Sequence, residues 1–477
     1  MTLTEKEGIT LQSASKLAGL IRNREVSPIA VVEAYLHRIE QLNPTLNAIV
    51  TIVPELREKA KKAEVAVMSG NHLGALHGVP ITIKDTIETA GLRTTSGSVM
   101  RSQYVPEQDA PSVARLKAAG AIIVGKTNTA EMAMDYTADN PVFGRTNNPY
   151  DLSRTPGGSS GGEAVAITSC MSPVGLGTDL AGSIRIPSHF CGIAGLKPTT
   201  GRVPSPGQYP PSIGPYSLGA AVGPMARCVE DLYLLFTTLA GTEMLPPLLL
   251  TSSLQNHAVD MRGWRVAWYT DDKIVPVTEE TRCAVEKAVR ALTDAGLVAE
   301  ERRPPGVERG FDLWLKLFSR ASVVQLREVY SGHEKEAGPF VRWRLATADE
   351  TPALALDEYI SAWRERDRLR LELNEWMNAI PLLVAPVGAT AAFKHETQKL
   401  TVAGRTFSTF RAFSYAQTFN VFDLPCVSVP AGRSPEGLPI GVQIIGRPLA
   451  EEAVLAAAAI VEEALGGWQA PPLSDKL

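Results

Sequence analysis

Three groups of residues in this chain have types and spacings that could do chemistry, and each implies a different reaction. Gly120-Ala121-Ile122-Ile123-Val124-Gly125-Lys126-Thr127 satisfies G-x-x-x-x-G-K-[ST], the pattern of a phosphate-binding loop. That pattern works when the middle residues form a loop whose N–H groups face phosphate. Here the middle is Ala-Ile-Ile-Val, which reads as a strand itself, so nucleotide binding is not expected. Gly157-Gly158-Ser159-Ser160-Gly161 satisfies G-x-S-x-G, the nucleophile elbow. The elbow needs an apolar strand just before it and a histidine after a carboxylate. Asp151 to Pro156 is no such strand, and His257, His333 and His395 have no telling context. Flexible linkers are also rich in Gly and Ser, but Pro156 on one side and Glu163-Ala164-Val165-Ala166-Ile167 on the other argue against one.

The third group spans several segments. Gly157 to Gly162 precedes an apolar helix. Gly175-Leu176-Gly177-Thr178-Asp179-Leu180-Ala181-Gly182-Ser183-Ile184-Arg185-Ile186-Pro187 follows, and then Cys191 to Thr199. Upstream, Lys84-Asp85 closes the short apolar run that begins at Val79. These residues suit acyl transfer. A serine hydroxyl is a weak nucleophile and needs a base. A lysine near its usual pKa of about 10.4 is charged and cannot act as one; burial must lower that value. A second hydroxyl accepts and donates at once, so it can relay a proton. Read alone, Lys84 would be an exposed lysine paired with Asp85.

The set resembles the amidase signature family, and the surrounding match reverses that reading of Lys84. The resemblance extends through Pro80 to Asp85, Thr94 to Ser98, Gly120 to Asn128, Asn148-Pro149, residues 154–205, Gly223 to Arg227 and Gly437 to Gln443, which is essentially the whole length. It implies Ser183 as nucleophile, Ser159 as bridging serine after a cis Gly158–Ser159 peptide, and Lys84 as base. Lys84 and Ser159 lie 75 positions apart, and Ser159 and Ser183 lie 24 apart, so only folding can assemble them. It also implies an oxyanion hole from the backbone N–H groups of Leu180, Ala181, Gly182 and Ser183. Many members carry Gly-Gly before the nucleophile, where this chain has Ala181-Gly182. An ordinary backbone conformation is expected at 181. Ser160, Asp179 and Arg185 are candidate supporting residues, with Asp179 and Arg185 read first as a structural ion pair.

The elements that must hold these residues follow from patterning. Ser27-Pro28 and the apolar spacing after it predict a capped helix ending near Asn43-Pro44. A second helix is expected over 55–68, a third over 112–119, and a buried strand over 120–125. Thr278 is the expected cap of a helix over 281–295. Helices are expected over 311–330, 357–379 and 451–465, strands over 427–431 and 440–445, and a connector over 241–262. Strands alternating with helices imply an α/β fold. With the resemblance, the expectation is one large domain over 1–477 with a mixed, mostly parallel central sheet flanked by helices on both faces. Within it lie N-terminal helices (about 10–70), a signature core (about 75–240) and a variable helical region (about 305–380). In that region Trp314, Leu317, Phe318, Trp343, Trp363 and Trp376 read as core; any that line a pocket would favour bulky apolar substrates.

Composition narrows the class. The 477 residues carry 47 basic and 51 acidic side chains, a net charge of −4, which argues against a nucleic-acid binder. Five scattered cysteines form no C-x-x-C, so neither a disulfide framework nor a zinc site is expected. The opening MTLTEKEGIT has no basic or apolar region of a secretory signal, and no apolar run approaches 18 residues. Composition thus leaves a cytoplasmic globular protein, and the resemblance implies an amidohydrolase acting on C–N bonds other than peptide bonds. No metal or organic cofactor is expected. Its partner would be a small-molecule amide or carbamate (a urethane), not nucleic acid or a membrane, and a homodimer stays open. Two alternatives share the resemblance: a glutamine-using subunit of a tRNA-dependent amidotransferase, and an inactive binding protein on the same fold.

Overall fold

The computed structural model describes residues 8–71, 73–240, 259–350 and 353–473. The chain forms thirteen strands within these residues. They are β1 (Ile49–Ile52), β2 (Pro80–Lys84), β3 (Ile122–Thr127), β4 (Val174–Asp179), β5 (Ala194–Lys197), β6 (Ala221–Ala226) and β7 (Arg265–Trp268). Next come β8 (Val298–Glu301), β9 (Leu382–Pro386), β10 (Lys399–Val402), β11 (Arg405–Ser408), β12 (Cys426–Arg433) and β13 (Pro439–Gly446). Eleven build one sheet in the order β1-β3-β2-β4-β6-β5-β12-β13-β9-β7-β8, and β10 and β11 form a separate hairpin.

The sheet is mixed, as expected, but less parallel than expected. Only β2–β3, β2–β4, β7–β8 and β7–β9 run parallel. The other six joints are antiparallel. Successive strand residues point to opposite faces, and β9 reports what covers each. Leu382 and Val384 pack in a cluster with Ala284, Val454 and Ala457 of the helices Glu279–Asp294 and Glu451–Leu465. Leu383 and Ala385 pack in a second cluster with Tyr415, Ala416 and Phe419 of the helix Ser414–Val421. Helices therefore cover both faces of one large α/β domain.

Several elements differ from the sequence reading for local reasons. The helix Pro28–Leu46 is capped by the Ser27 hydroxyl, which accepts from Ala30 N (3.0 Å), but it runs through Pro44. The proline removes a single N–H in the last turn. Asn43 completes that end, its Oδ1 accepting from Ala48 N and Ile49 N (2.9 Å each), and Asn47 stops the helix in the left-handed conformation. Thr278 occupies the cap position of its helix without capping it; its hydroxyl pairs with that of Thr281 (2.9 Å). The stretch 311–330 is broken by a π-turn over Leu315–Ser319. A further helix, Pro339–Glu350, has no counterpart among the expected elements. The N-terminal residues before Gly8 and residues 241–258 of the expected connector lie outside the described residues.

The glycine-rich stretch contains the elements that matter most here. The helix Gly161–Thr168 starts directly after Ser159-Ser160, and the helix Arg185–Cys191 starts shortly after Ser183. Between them, β4 lies parallel to β2, with Thr82 opposite Gly175 and Ile83 opposite Leu176. Every residue of β2 and β4 is buried. The ends of the two strands thus deliver Lys84, Thr178 and Asp179 to one buried place.

Candidate active site

Lys84 is fully buried. Its Nζ donates to Ser159 Oγ at 2.6 Å and to Thr178 Oγ1 at 2.8 Å. Asp85 turns away from it and accepts instead from Thr95 N at 3.0 Å. Burial pulls the Lys84 pKa down from its ordinary value to about 7, although Asp179 and Glu163 oppose the shift. The amine is therefore poised to exchange a proton near neutral pH. With two N–H bonds and one lone pair, a neutral amine here can take a proton from Ser159 and still donate to Thr178.

Ser159 and Ser183 line one cavity, which encloses about 830 Å³ of empty space with its mouth included. Ser159 follows a cis Gly158–Ser159 peptide, as the resemblance implied. Among the described residues no hydrogen bond joins the two serine hydroxyls; Ser183 stands at the cavity wall, slightly exposed at 6%. Ser160 braces the arrangement. Its N–H donates to Ser183 O (3.2 Å), and its hydroxyl donates to Thr178 O (3.3 Å).

The segment before Ser183 is shaped by a buried ion pair, as expected. Arg185 Nη2 donates to Asp179 Oδ1 at 2.9 Å and Nε to Oδ2 at 3.0 Å. The remaining guanidinium protons reach Ala416 O, Gln443 Oε1 and Asn420 Oδ1. Burial alone would raise the Asp179 pKa, but the Arg185 guanidinium holds it well below the usual carboxylate range. Asp179 also accepts from Gly182 N (2.8 Å) and Ile184 N (3.1 Å). Gly182 takes φ +98°, and a Cβ there would lie 2.7 Å from Ala416 Cβ, so only glycine fits. Its N–H is spent on Asp179, which removes it from the four expected oxyanion donors. The N–H groups of Leu180, Ala181 and Ser183 find no acceptor among the described residues. Ala181 keeps out of the positive-φ region. Replacing Arg185 with alanine would strand a buried carboxylate. We expect a loss of about 3–5 kcal/mol of stability, read from the urea unfolding midpoint; an unchanged midpoint would refute the structural role of the pair.

Patterning alone does not reveal Glu163. It is wholly buried at the first turn of the helix after Ser159-Ser160. Its carboxylate accepts from Thr82 Oγ1 and from Thr127 Oγ1 (2.7 Å), and burial raises its pKa to about 7. Tyr136 is equally silent in the sequence; its hydroxyl donates to Ala181 O at 2.7 Å. Thr178 is visible there only as part of a longer motif. Of the aromatic candidates, Trp314 and Phe318 line the cavity, whereas Leu317 lies in the core. Trp363 and Trp376 pack on one core cluster without lining the cavity, Trp363 edge-on to Phe318, and Trp343 is 56% exposed.

The cavity wall is mostly apolar, with Met132, Leu180, Trp314 and Phe410 prominent. Arg344 is its one cationic lining residue among the described residues. The guanidinium donates to Ser319 O, Ser319 Oγ and Ser322 Oγ, has no carboxylate at ion-pair distance among the described residues, feels Asp135 from farther off, and leaves its Nε unmet.

The competing motifs lose their chemistry in the fold. Gly125-Lys126-Thr127 belongs to β3, so its backbone is committed to the sheet. Lys126 is buried, with Nζ donating to Ile87 O, Thr89 Oγ1 and Thr94 Oγ1. No histidine lines the cavity among the described residues. His333 pairs with Glu336 on the surface, and His257 lies outside the described residues. The five cysteines are free. No cluster of three His, Cys, Asp or Glu residues suits a metal ion, and no helix is long and apolar enough to cross a membrane, among the described residues.

The chain is similar to known proteins over nearly its whole length. The family model for amidases matches residues 30–455. Fatty-acid amide hydrolase 2-A of Danio rerio is 34% identical, over 97% of this chain and 90% of its own length. A glutamyl-tRNA(Gln) amidotransferase subunit of Sulfurihydrogenibium sp. (strain YO3AOP1) is 31% identical, over 93% of this chain and 95% of its own. Among solved structures, a bacterial aryl acylamidase of the amidase signature enzymes superposes with a TM-score of 0.87 at 28% identity, covering 97% of this chain and 98% of its own.

Proposed function

Since the chain belongs to the amidase signature family, we propose that it hydrolyses amide-type C–N bonds of small, largely apolar substrates through Ser183, Ser159 and Lys84. The observation that carries this reading is the buried Lys84 Nζ, 2.6 Å from Ser159 Oγ, behind the cavity that Ser183 faces. Ser183 Oγ attacks the carbonyl carbon and gives its proton to Ser159 Oγ. Ser159 passes its own proton to Lys84. The negative charge that forms on the carbonyl oxygen meets the N–H groups of Leu180, Ala181 and Ser183, each worth about 3–4 kcal/mol if aligned. Lys84, charged at that moment, keeps Thr178 Oγ1 as acceptor and has Asp179 and Glu163 nearby. The C–N bond then breaks, and the proton returns through Ser159 to the leaving nitrogen. Water repeats the sequence on the acyl-Ser183 ester and releases the acid.

The apolar wall favours aryl or other bulky apolar groups, and aryl carbamates present the same carbonyl beside nitrogen. A second reading is favoured by Arg344. A half-buried guanidinium with no carboxylate at ion-pair distance among the described residues, and only the longer-range field of Asp135, suits a substrate that brings its own carboxylate, such as glutamine in a tRNA-dependent amidotransferase. One screen separates them: an anilide, an aliphatic amide, an aryl carbamate and glutamine, with Ser183→Ala as blank. We expect the anilide or aryl carbamate to give a kcat/KM at least about tenfold above glutamine, a difference of roughly 1.4 kcal/mol in transition-state binding. Preference for glutamine would favour the amidotransferase. No turnover, together with no labelling of Ser183 by a fluorophosphonate, would favour a binding protein.

A further inference from the structure

The open N–H groups beside Ser183 are aimed from behind, by donors that hold the carbonyls of the same peptides. Asp179 O accepts from Asn420 Nδ2 (3.2 Å) and Leu180 O from the Trp314 indole N–H (3.1 Å). Ala181 O accepts from the Tyr136 hydroxyl (2.7 Å) and Gly182 O from Ile186 N (2.7 Å). In a planar trans peptide the C=O and the following N–H point in opposite directions. A donor fixed on one carbonyl therefore sets the heading of the next residue's N–H.

These four holds are not equivalent. The Ala181–Gly182 peptide is fixed at both ends, by Tyr136 on its oxygen and by Asp179 on its N–H. Among the described residues the Leu180–Ala181 peptide has only Trp314 on its oxygen, and its N–H has no acceptor. Trp314 is itself well fixed. It ends the helix Gly310–Trp314 where the π-turn begins, and its ring stacks on Phe410 at 5.9 Å. Indole N–H can only donate, so the contact cannot reverse.

We propose that Trp314 is a positioning residue for the oxyanion hole, holding the Ala181 N–H on the developing oxyanion through the Leu180 carbonyl. The proposal rests on the Ser183 mechanism above. It gives the variable helical region, whose aromatics read from sequence as core or as pocket wall, a part in the rate of the chemical step. The aryl-lined wall and the oxyanion donors are then one mechanical unit.

The test uses the full chain with the best substrate of the screen. Replacing Trp314 by 3-benzothienylalanine removes the N–H and keeps the ring; Trp314→Phe is the genetic counterpart. Both should lower kcat by about ten- to a hundredfold, less than the loss of a direct donor, with KM within about threefold. The dissociation constant of a trifluoromethyl ketone, which becomes tetrahedral on the enzyme, should rise by the same factor as kcat falls. The pH at half-maximal kcat/KM should not move, because Lys84 and Ser159 are untouched. A change confined to KM, or an isosteric variant with unchanged kcat and inhibitor affinity, overturns the role of Trp314 and leaves the Ser183 mechanism standing. A wild-type chain that hydrolyses no amide and is not labelled at Ser183 overturns both.

Discussion

Ser183→Ala is expected to lower kcat by about 10⁴-fold or more while leaving the fold intact. Removing a nucleophile from a set that acts as a unit removes nearly the whole catalytic gain, because the other members have nothing left to activate. The structural cost should be small. Among the described residues the Ser183 hydroxyl makes no hydrogen bond, and the backbone around it is held by Asp179, Ser160 and Arg185. The melting temperature should stay within about 2 °C of wild type. Burst-phase and steady-state kinetics on the best substrate provide the measurement. Turnover within tenfold of wild type would remove Ser183 from the mechanism.

Lys84→Met should be nearly as damaging, at about 10³- to 10⁴-fold in kcat across the whole pH range. Methionine roughly matches the apolar stem in length but has no lone pair basic enough to accept the Ser159 proton. The wild-type pH profile gives an independent check. The base acts only when neutral, and its pKa is about 7. Activity should therefore be half-maximal near pH 7, fall about tenfold per unit below that, and level off above it. A profile with its optimum near pH 5 would require Lys84 to act while protonated and would contradict its assignment as the base.

The legibility of this chain differs by element for physical reasons. Ser27-Pro28, the apolar run ending in Lys84, and the strand Ile122–Thr127 are readable because local patterning and packing demand the same conformation. The strand pairing is not. Apart from the β12–β13 hairpin, the antiparallel joints depend on which distant segments meet, and period-two patterning does not encode direction. Lys84, Ser159 and Ser183 are located by a motif resemblance, and folding brings them to one cavity region. Gly182 loses its expected donor role because Asp179 reaches forward three residues to take its N–H, a contact set by the turn rather than by residue type. Glu163 and Tyr136 carry no sequence signal of their own. Each is recognisable only from what surrounds it: two threonine hydroxyls for the first, the Ala181 carbonyl and Gln417 for the second.

The contacts of Arg185 also dictate an order of events during synthesis. Its partners Ala416, Asn420 and Gln443 are 231 to 258 positions downstream. Until the ribosome has released that stretch, the loop before Ser183 has its arginine but not the acceptors that complete its burial. At about 5–20 residues per second, that interval lasts on the order of ten seconds or more. The nascent chain thus carries all of its proposed catalytic residues long before it can arrange them. Hydrolytic competence should arrive late and abruptly, as the C-terminal strands dock, and a contact this distant in sequence belongs to the slow part of folding.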